Sequence, residues 1–271
     1  MADAQTDEPG FSGRTILAVF AHPDDESLSC GGTLARLADA GARVVLLCAS
    51  RGESGSVSDQ ALVAASDLGH VRSDELREAA RTLGIADVLI YDHPDGELRW
   101  EDVPELHAEI VAAIVRYQPD GVITFAEDGL YWHLDHIGVH ERTYTAVRSL
   151  GADAPPLYYV TMPKGVMREV VEAAVAKGAT LKDTSFWGIE PDAFGDAAIP
   201  PGFVVDVREW VPRKLAALGC HRTQLGPNNP FARIDDGQAR RLLGLEHFRR
   251  APTESRWESI IEQLGEPVSS S

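Results

Sequence analysis

Short apolar runs alternate with amphipathic segments along the first 180 residues of the chain. The apolar runs lack the polar alternation of a half-exposed strand, which is typical of strands buried on both faces of a parallel sheet. The segments between them have helical spacing, so the pattern predicts repeated βα units. The predicted strands are 15–20, 43–49, 87–91, 121–125 and 157–160, and the predicted helices are 29–39, 73–83, 104–117, 139–149 and 166–176.

Beyond residue 180 the pattern is looser, and prolines and glycines are frequent. A strand over 203–207 and a helix over 209–219 stand out in this part. No linker or internal repeat is visible, so we expect one domain over residues 1–271, with a core at about 14–225 and mobile termini. The predicted fold class is α/β: a Rossmann-like three-layer sandwich with a mostly parallel, doubly wound sheet and an elaborated C-terminal part.

The chain carries a strong negative charge, because 42 acidic and 25 basic residues give a net charge of −17. A polyanion would be repelled, so we expect neither nucleic acid nor an anionic membrane surface as a partner. A small neutral or cationic substrate, or a metal ion, suits this charge. No apolar stretch approaches the roughly 20 residues of a membrane span. Since the three cysteines show no CxxC spacing, we predict a cytoplasmic protein without disulfides.

The residues after the first predicted strand carry the strongest chemical signal, the sequence AHPDDE at 21–26. In an α/β protein, polar groups at the carboxyl end of a strand lie where ligands bind. Pro23 stiffens this turn because its ring fixes φ. His22 and Asp25 are therefore candidates to bind one cation, which leaves Asp24 free to move a proton.

A second polar cluster follows the fourth predicted strand, with the sequence YWHLDH at 131–136. In a doubly wound sheet, the first and fourth strands flank the point where the strand order reverses, and a crevice opens there. His22 and Asp25 from one loop and His136 from the other would form a site of two histidines and one carboxylate. Three protein ligands leave one coordination position open, as catalytic zinc sites require, and such a metal lowers the pKa of bound water.

Each of these residues also has an ordinary structural explanation. An Asp-Asp pair after a strand is often a turn or an N-cap, and a single histidine is more often structural than a ligand. Two such clusters on loops of one crevice are a much stronger indication of a metal site. Non-haem iron oxygenases use the same ligand types, but they bind iron through a His-x-Asp pair on a β-sandwich. Here two residues separate His22 from Asp25, and the pattern is α/β, so this class does not fit. A dinucleotide-binding protein would need a GxGxxG turn, which the first βα turn lacks.

The two clusters resemble those of the PIG-L/LmbE-like family, the zinc-dependent de-N-acetylases of GlcNAc-containing compounds. This family includes deacetylases of mycothiol and bacillithiol synthesis and of GPI-anchor precursors. The resemblance spans about residues 14–225. It extends to SRGE at 50–53, PDG at 94–96, KLAAL at 214–218, His221 and Gln224.

The resemblance implies a metal centre and a base. His22, Asp25 and His136 would bind Zn²⁺, and Asp24 would deprotonate the water on the metal. Iron(II) would fit the same ligands without changing the hydrolytic chemistry. A carboxylate next to a metal ligand is also a reasonable base near neutral pH on chemical grounds.

The resemblance also implies roles around the substrate. His133 would stabilise the tetrahedral intermediate and protonate the leaving amine, with Asp135 tuning its charge, and Tyr131 would help to hold the oxyanion. An imidazolium at His133 would offset the developing negative charge. Asp135 is also placed to orient a histidine as a hydrogen-bond acceptor. The candidates for holding substrate hydroxyls are Arg72, Glu53 and Asp95.

The second cluster departs from the family pattern in two places. Leu134 stands where proline is common, and Trp132 stands where many relatives have a small residue. Trp132 is either a wall on which a sugar stacks or a core residue. His140 lies four residues after His136, a spacing that suits ligands on one helix face, but we expect it to be structural. The sequence does not decide whether His221 lies near the crevice, and its role stays open.

The sequence therefore predicts a metal-dependent amide hydrolase that removes an N-acetyl group from a GlcNAc-type glycoside. An amidase that cleaves a larger acyl group or a thiol conjugate would use the same metal site. A non-enzymatic metal-binding relative is the third hypothesis, but such a protein would not need Asp24 or His133. We expect an N-acetylated amino sugar conjugate as substrate, and a homo-oligomer is compatible with the sequence.

Overall fold

A single sheet organises the chain, of which the computed structural model describes residues 10–59, 63–64, 67–99, 104–180, 188–226 and 229–268. The strands are β1 (Thr15–Phe20), β2 (Arg43–Cys48), β3 (Asp87–Ile90), β4 (Gly121–Phe125), β5 (Leu157–Thr161), β6 (Phe203–Asp206), β7 (Leu245–Arg250) and β8 (Gly265–Pro267). Their order in the sheet is β3-β2-β1-β4-β5-β7-β6-β8. The first five strands in this order are parallel, so the predicted doubly wound, mostly parallel sheet is confirmed.

The helices fall into two packed groups. They are α1 (Asp25–Asp39), α2 (Leu68–Leu83), α3 (Pro104–Tyr117), α4 (Gly129–Trp132), α5 (Leu134–Ser149), α6 (Val166–Ala176), α7 (Val211–Leu218) and α8 (Asp236–Leu243). One group consists of α1, α2 and α7, and α3 packs against α5 in the other. The α/β class predicted from the sequence is confirmed.

Burial explains why the parallel strands could be recognised. β4 and all but the first residue of β1 and β2 are buried, because helices cover a parallel sheet on both faces. Leu17 of β1 pairs with Val45 on one side and with Val122 on the other. The strand order therefore reverses between β1 and β4, as predicted, and a ligand crevice is expected at their carboxyl ends.

The C-terminal part adds an antiparallel edge that the sequence pattern did not predict in full. β7 pairs with both β5 and β6, and β8 pairs with β6, all antiparallel. β7 has the sequence LEHFRR, whose charged residues do not look like a central strand. α8 was not predicted either, although Asp235 and Gln238 form a capping box at its start.

Three predicted helices begin earlier than expected, and in two of them the extra residues include members of the polar clusters. α1 begins at Asp25 rather than at residue 29, and α5 begins at Leu134 rather than at residue 139. The predicted helix 73–83 likewise begins earlier, at Leu68. Sequence reasoning placed these ends too late because the polar residues that cap or open the helices lack apolar periodicity.

A buried ion pair stabilises a break in helix α1. Cys30 has non-helical angles (φ −148°, ψ 27°), which leaves backbone N–H groups of the next turn without helical acceptors. The Glu246 carboxylate of β7 accepts from the N–H groups of Gly32 (3.0 Å) and Thr33 (2.7 Å). Lys214 of α7 donates to the same carboxylate at 2.6 Å, and both charged side chains are buried. This contact joins α1, α7 and β7.

Glu246→Gln is expected to destabilise the fold. The substitution leaves the Lys214 ammonium buried without its countercharge and puts an amide donor opposite a backbone N–H. Breaking such a buried pair costs about 3 kcal/mol of unfolding free energy. Urea unfolding of the variant and the parent chain measures the difference. The exposed pair of Arg256 with Asp153 is the control, since an Arg256→Gln change at the surface costs at most about 1 kcal/mol.

The described helices include none that is both long and apolar enough to cross a bilayer. The predicted mobile termini fall on residues 1–9 and 269–271, which lie outside the described residues. The three cysteines are buried and unpaired.

Candidate metal centre and active site

A cavity of about 250 Å³ opens where β1 and β4 end side by side. The turn after β1 contributes His22, Asp24 and Asp25, and the segment after β4 contributes Tyr131 and His133. The other lining residues are Leu28, Gly55, Ser56, Arg72, Asp95, Ile189 and Gln224. The two polar clusters found in the sequence therefore meet at the point where the strand order reverses.

Three donor atoms converge at one end of this region. His22 Nδ1 lies 3.2 Å from His136 Nε2, which lies 3.2 Å from Asp25 Oδ1. The other Asp25 oxygen lies 3.5 Å from His22 Nδ1 and accepts the backbone N–H of His22 at 2.7 Å. All three side chains are buried. The structure thus brings together the three residues expected to bind the metal.

Hydrogen bonds on the far side of each imidazole indicate which nitrogen carries the proton. His136 Nδ1 lies 3.0 Å from the Gly129 carbonyl, and His22 Nε2 lies 3.1 Å from carboxylate oxygens of both Asp95 and Asp135. Carbonyl and carboxylate oxygens only accept, so these two nitrogens are assigned as N–H donors. When both rings are neutral, two nitrogen lone pairs and a carboxylate therefore face one another, an arrangement that a proton or a metal cation would stabilise.

The donor set fits a small divalent metal. Ligands at the about 2.0–2.1 Å typical of zinc–nitrogen and zinc–oxygen bonds lie roughly 3.3 Å apart in a tetrahedral site. The separations of 3.2–3.5 Å match that spacing. Donors of His22, His133 and His136 also lie within 4.8 Å of one another, as do donors of His22, Asp95 and Asp135.

The pKa shifts of His22 and Asp25 also indicate that positive charge is stabilised at this position. Burial opposes a charged imidazole at His22, but hydrogen bonds to Asp135, Asp25 and Asp95 hold its pKa well above the usual value. Burial likewise opposes the Asp25 carboxylate, but the neighbouring His136 and His22 hold its pKa well below the usual range.

Asp135 lies beside a different histidine from the one expected. Its carboxylate bonds to His22 and accepts the N–H groups of Gly96 (2.7 Å) and Leu98 (3.0 Å). With His133 it shares a backbone contact, since the Asp135 N–H donates to His133 Nδ1 at 3.2 Å. Its side chain therefore orients the proposed ligand His22, and its influence on His133 is through charge alone.

Asp135→Asn is expected to weaken metal binding by about 10–100-fold, the usual effect of losing an outer partner of a metal-bound histidine. An amide cannot accept from both backbone N–H groups and also from His22, so the imidazole loses its fixed orientation. Competition with a chromophoric chelator measures the affinity. Asp120→Asn is the control, because Asp120 contacts Arg14 and Thr15 at the opposite end of the sheet. Unchanged affinity in the Asp135 variant would contradict this role.

Asp24 lines the cavity next to the donor set and is held in a strained conformation. Its φ is 127°, in the region that favours glycine, and it is only 7% exposed. Arg72 Nη2 donates to its Oδ2 at 3.2 Å. Burial raises the pKa of Asp24 to about 6, although the Arg72 guanidinium opposes the shift. A buried carboxylate with a raised pKa at the wall of a cavity has the properties that a general base needs.

The guanidinium of Arg72, which was expected to hold substrate hydroxyls, is hydrogen-bonded to protein atoms instead. Besides Asp24, its guanidinium donates to the carbonyls of Pro23 (2.8 Å) and Gly52 (2.7 Å). Gly52, at φ +66°, and Gly55 leave the space that this guanidinium fills, since a Cβ at either position would collide with it. Arg72 thus lines the cavity, and its guanidinium contacts both the carboxylate of Asp24 and the backbone next to it.

His133 lines the cavity, and its surroundings favour a neutral ring. Burial lowers its pKa to about 3, and the nearby His136 and His22 add to the effect. Its Nδ1 accepts the Asp135 N–H, so the proton is assigned to Nε2. The imidazolium expected from the sequence does not fit these contacts. Tyr131 lies edge-on to His133, with ring centroids 5.7 Å apart, and burial raises the pKa of its phenol well above the usual value.

Two residues expected to bind substrate lie outside this cavity. Trp132 is 55% exposed and lines a separate hollow with Ile199 and Pro200, because positive φ angles at Leu130 and Trp132 turn it away from Tyr131. It is neither a core residue nor a wall of the cavity. Glu53 is exposed, and its carboxylate accepts the Asp95 N–H at 2.9 Å.

Asp95 lines the cavity but is shared with the metal centre. It contacts His22, and burial that would raise its pKa is outweighed by that imidazole, which helps to lower the pKa to about 2. His140 is buried and bonds to the Phe125 carbonyl through Nδ1 at 2.9 Å, as suits a structural histidine. Leu134 is 39% exposed at the start of α5.

Sequence reasoning did not single out several residues of the site. Leu28, Ser56 and Ile189 line the cavity from α1, from the loop after β2 and from the looser C-terminal part. Glu26 was not assigned a role either, and it forms a buried pair with His221, whose role the sequence had left open. The position of Glu26 in the first motif could have marked it as part of the site. Nothing in the sequence around Ile189 marks that residue as lining the cavity.

Comparison with known proteins agrees with this geometry. Residues 17–147 match the family described as PIG-L, GlcNAc-PI de-N-acetylase. A 1D-myo-inositol 2-acetamido-2-deoxy-alpha-D-glucopyranoside deacetylase of Acidothermus cellulolyticus is 34% identical over 262 residues, covering 87% of this chain and 88% of the relative.

Two solved structures share the architecture. N,N'-diacetylchitobiose deacetylase from Pyrococcus horikoshii matches with a TM-score of 0.63 at 22% identity, over 91% of this chain and 86% of that chain. The 4-carboxy-2-hydroxymuconate hydratase GalB from Pseudomonas putida KT2440 also matches with a TM-score of 0.63, at 19% identity, over 88% of this chain and 96% of that chain. At such identities these two likenesses show the fold alone.

Proposed function

Since the chain belongs to the PIG-L family of GlcNAc-PI de-N-acetylases, we propose that it is a metal-dependent hydrolase that removes the N-acetyl group from a GlcNAc-type glycoside. The observation that carries the proposal is the convergence of a three-donor metal site, a strained carboxylate and a neutral imidazole on one cavity. A protein that only stored a metal would need the donors but neither Asp24 nor His133.

We assign Zn²⁺ to the site formed by His22, Asp25 and His136. Two imidazole nitrogens and a carboxylate, with a fourth position open, suit catalytic zinc, and Fe²⁺ accepts the same ligands. When bound, the metal supplies a Lewis acid that polarises the amide carbonyl and lowers the pKa of water. His22 and His136 are already oriented for this role by Asp135, Asp95 and Gly129.

Asp24 is the proposed base. Its carboxylate lies next to the donor set, and Arg72 fixes one oxygen. With a pKa raised by burial to about 6, it is ionised at neutral pH yet basic enough to accept a proton from the attacking water. The same proton then passes to the leaving nitrogen. The amide and one water thus give acetic acid and a free amine, which ionise to acetate and an ammonium group at neutral pH.

His133 and Tyr131 are the proposed donors to the oxyanion. A neutral imidazole with its proton on Nε2 and a neutral phenol both donate hydrogen bonds without needing a positive charge. A donor aimed at developing charge is worth about 10²–10³ in rate. Delivery of the amine proton is assigned to Asp24 rather than to His133, because the contacts of His133 favour the neutral ring.

The substrate we propose is an inositol-linked GlcNAc. The support is the similarity over nearly the whole chain to deacetylases named for that compound. Ser56, Asp95 and Gln224 give the cavity wall polar groups suited to sugar hydroxyls, while Leu28 and Ile189 are apolar. We place the activity in the cytoplasm, because the three cysteines are buried and unpaired.

Amine release from a panel of glycosides tests this function. The panel varies the aglycone of GlcNAc and, on one aglycone, replaces acetyl by propanoyl and butanoyl. Zinc-reconstituted and chelator-stripped protein are compared. We expect metal-dependent release that is fastest with acetyl and with inositol as aglycone. Faster release of the longer acyl groups would favour the amidase alternative, and no release with zinc bound would exclude de-N-acetylation.

A further inference from the structure

Glu26 is a fully buried carboxylate that the chemistry proposed above does not use. It is the last residue of the AHPDDE motif and lies in the first turn of α1. Its Oε2 accepts the backbone N–H of Asp24 at 3.1 Å. Its Oε1 accepts from the Ser27 hydroxyl and from His221 Nε2, the latter at 3.0 Å. The carboxylate is therefore committed to three contacts, one of them with the backbone of the proposed base.

The backbone at Asp24 needs such a contact. A non-glycine residue at φ 127° costs on the order of 1–3 kcal/mol and persists only where its surroundings hold it. The Asp24 carbonyl accepts the N–H groups of Ser27 and Leu28, both at 3.1 Å. Glu26 supplies the acceptor for the remaining backbone group, the Asp24 N–H. Without it, the peptide would be free to rotate and the carboxylate would move.

His221 supplies the countercharge from a distant part of the chain. It follows α7 and is completely buried. Burial opposes its charged form, but the Glu26 carboxylate outweighs this and raises the pKa of His221. The loop that carries His221 is held by Glu75 of α2, which accepts both the N–H and the hydroxyl of Thr223. The support for Asp24 thus extends from α1 through His221 to α2.

We propose that Glu26, held by His221, is a positioning residue that fixes the strained backbone of Asp24 and thereby aims its carboxylate at the reacting water. The inference rests on the proposed role of Asp24 as base. Glu26 does not line the cavity, so it acts through Asp24 rather than on the substrate. It contacts none of the three proposed metal ligands through its side-chain hydrogen bonds.

A double-mutant cycle on kcat tests the proposal. Glu26→Gln puts an amide donor among three donors, so the Asp24 N–H or His221 loses its acceptor. A displacement of about 1 Å costs on the order of 10²-fold, so we expect kcat to fall by about 10–100-fold with KM and metal content unchanged. In an Asp24→Asn background, the same substitution should lower the residual rate by less than about twofold, since the residue through which it acts is already disabled.

Two His221 variants provide the rescue test. Glutamine places a donor near the position of His221 Nε2, whereas leucine removes the donor and leaves Glu26 without its partner. We expect His221→Gln to keep kcat within about fivefold of the parent and His221→Leu to match Glu26→Gln. If Glu26→Gln does not fold, this pair carries the test. Equal losses in the two variants would contradict the proposed hydrogen bond.

Glu246→Gln is the matched control for general damage. It also removes a buried carboxylate that accepts backbone N–H groups of α1, but at the broken turn rather than at Asp24. It should lower stability and leave kcat within about twofold. A wild-type kcat in Glu26→Gln, or full additivity with Asp24→Asn, would overturn the positioning role. If Asp24→Asn alone keeps its activity, the role of Asp24 as base fails instead, and the two failures are thus distinguishable.

Discussion

Asp24→Asn is expected to lower kcat by about 10²–10⁴-fold while one metal ion per chain stays bound. General base catalysis contributes about this much, and the amide cannot take a proton from water. Arg72 still finds an acceptor in the asparagine oxygen, so the turn should keep its shape. The three donor atoms of the metal site belong to other residues and are left intact.

Steady-state kinetics together with metal analysis of the purified variant separates the two properties. A loss of turnover with full metal content supports Asp24 as base. Loss of the metal in parallel with turnover would mean that Asp24 is itself a ligand or holds the site together. Turnover close to that of the parent would remove Asp24 from the chemistry.

His136→Ala is expected to weaken metal binding by more than about 100-fold, because losing an outer partner alone costs 10–100-fold. The substitution removes the donor that lies 3.2 Å from both His22 Nδ1 and Asp25 Oδ1. Activity should fall with metal occupancy and recover in part at high zinc concentration. The variant therefore differs from Asp24→Asn in which property is lost first.

His140→Ala is the matched control for this substitution. His140 lies one helical turn further along α5, is also buried and also bonds to a carbonyl through Nδ1. Because its ring takes no part in the donor cluster, the variant should keep its metal even if its stability falls. The metal content of both variants is measured after gel filtration. Equal metal loss in both would show that α5 had merely been destabilised.

The parallel half of the fold could be predicted because its strands are buried on both faces. β1, β2 and β4 consist mostly of apolar residues, and α6 was predicted with the bounds that it has in the structure. The antiparallel edge could not be predicted from such runs. β7 carries Glu246, whose burial depends on Lys214, 32 positions away, and a local pattern has no access to that pairing.

The same division holds at the site. His22, Asp25 and His136 follow two strand ends, so topology alone brought them to one crevice. Their supporting contacts depend on loops whose paths no periodicity encodes. Asp135 reaches His22 because residues 96–98 fold over it and donate two N–H groups, and His221 reaches Glu26 across 195 positions.

Fold likeness is a weaker guide to chemistry here than the side chains. A deacetylase and a hydratase match this chain with the same TM-score of 0.63, so the architecture accommodates both named activities. The choice of an amide hydrolase rests on the family match and on the side chains proposed as base and hydrogen-bond donors, which line one cavity with the proposed metal ligands His22 and Asp25.

Acetate release from inositol-linked GlcNAc, followed while zinc is added stepwise to chelator-stripped protein, tests the metal-dependent hydrolase most directly. The rate should rise linearly and stop rising at one zinc ion per chain, because the proposed site of His22, Asp25 and His136 binds one metal ion. Acetate release that is already maximal in the stripped protein, or none at any zinc level, would contradict the proposed function.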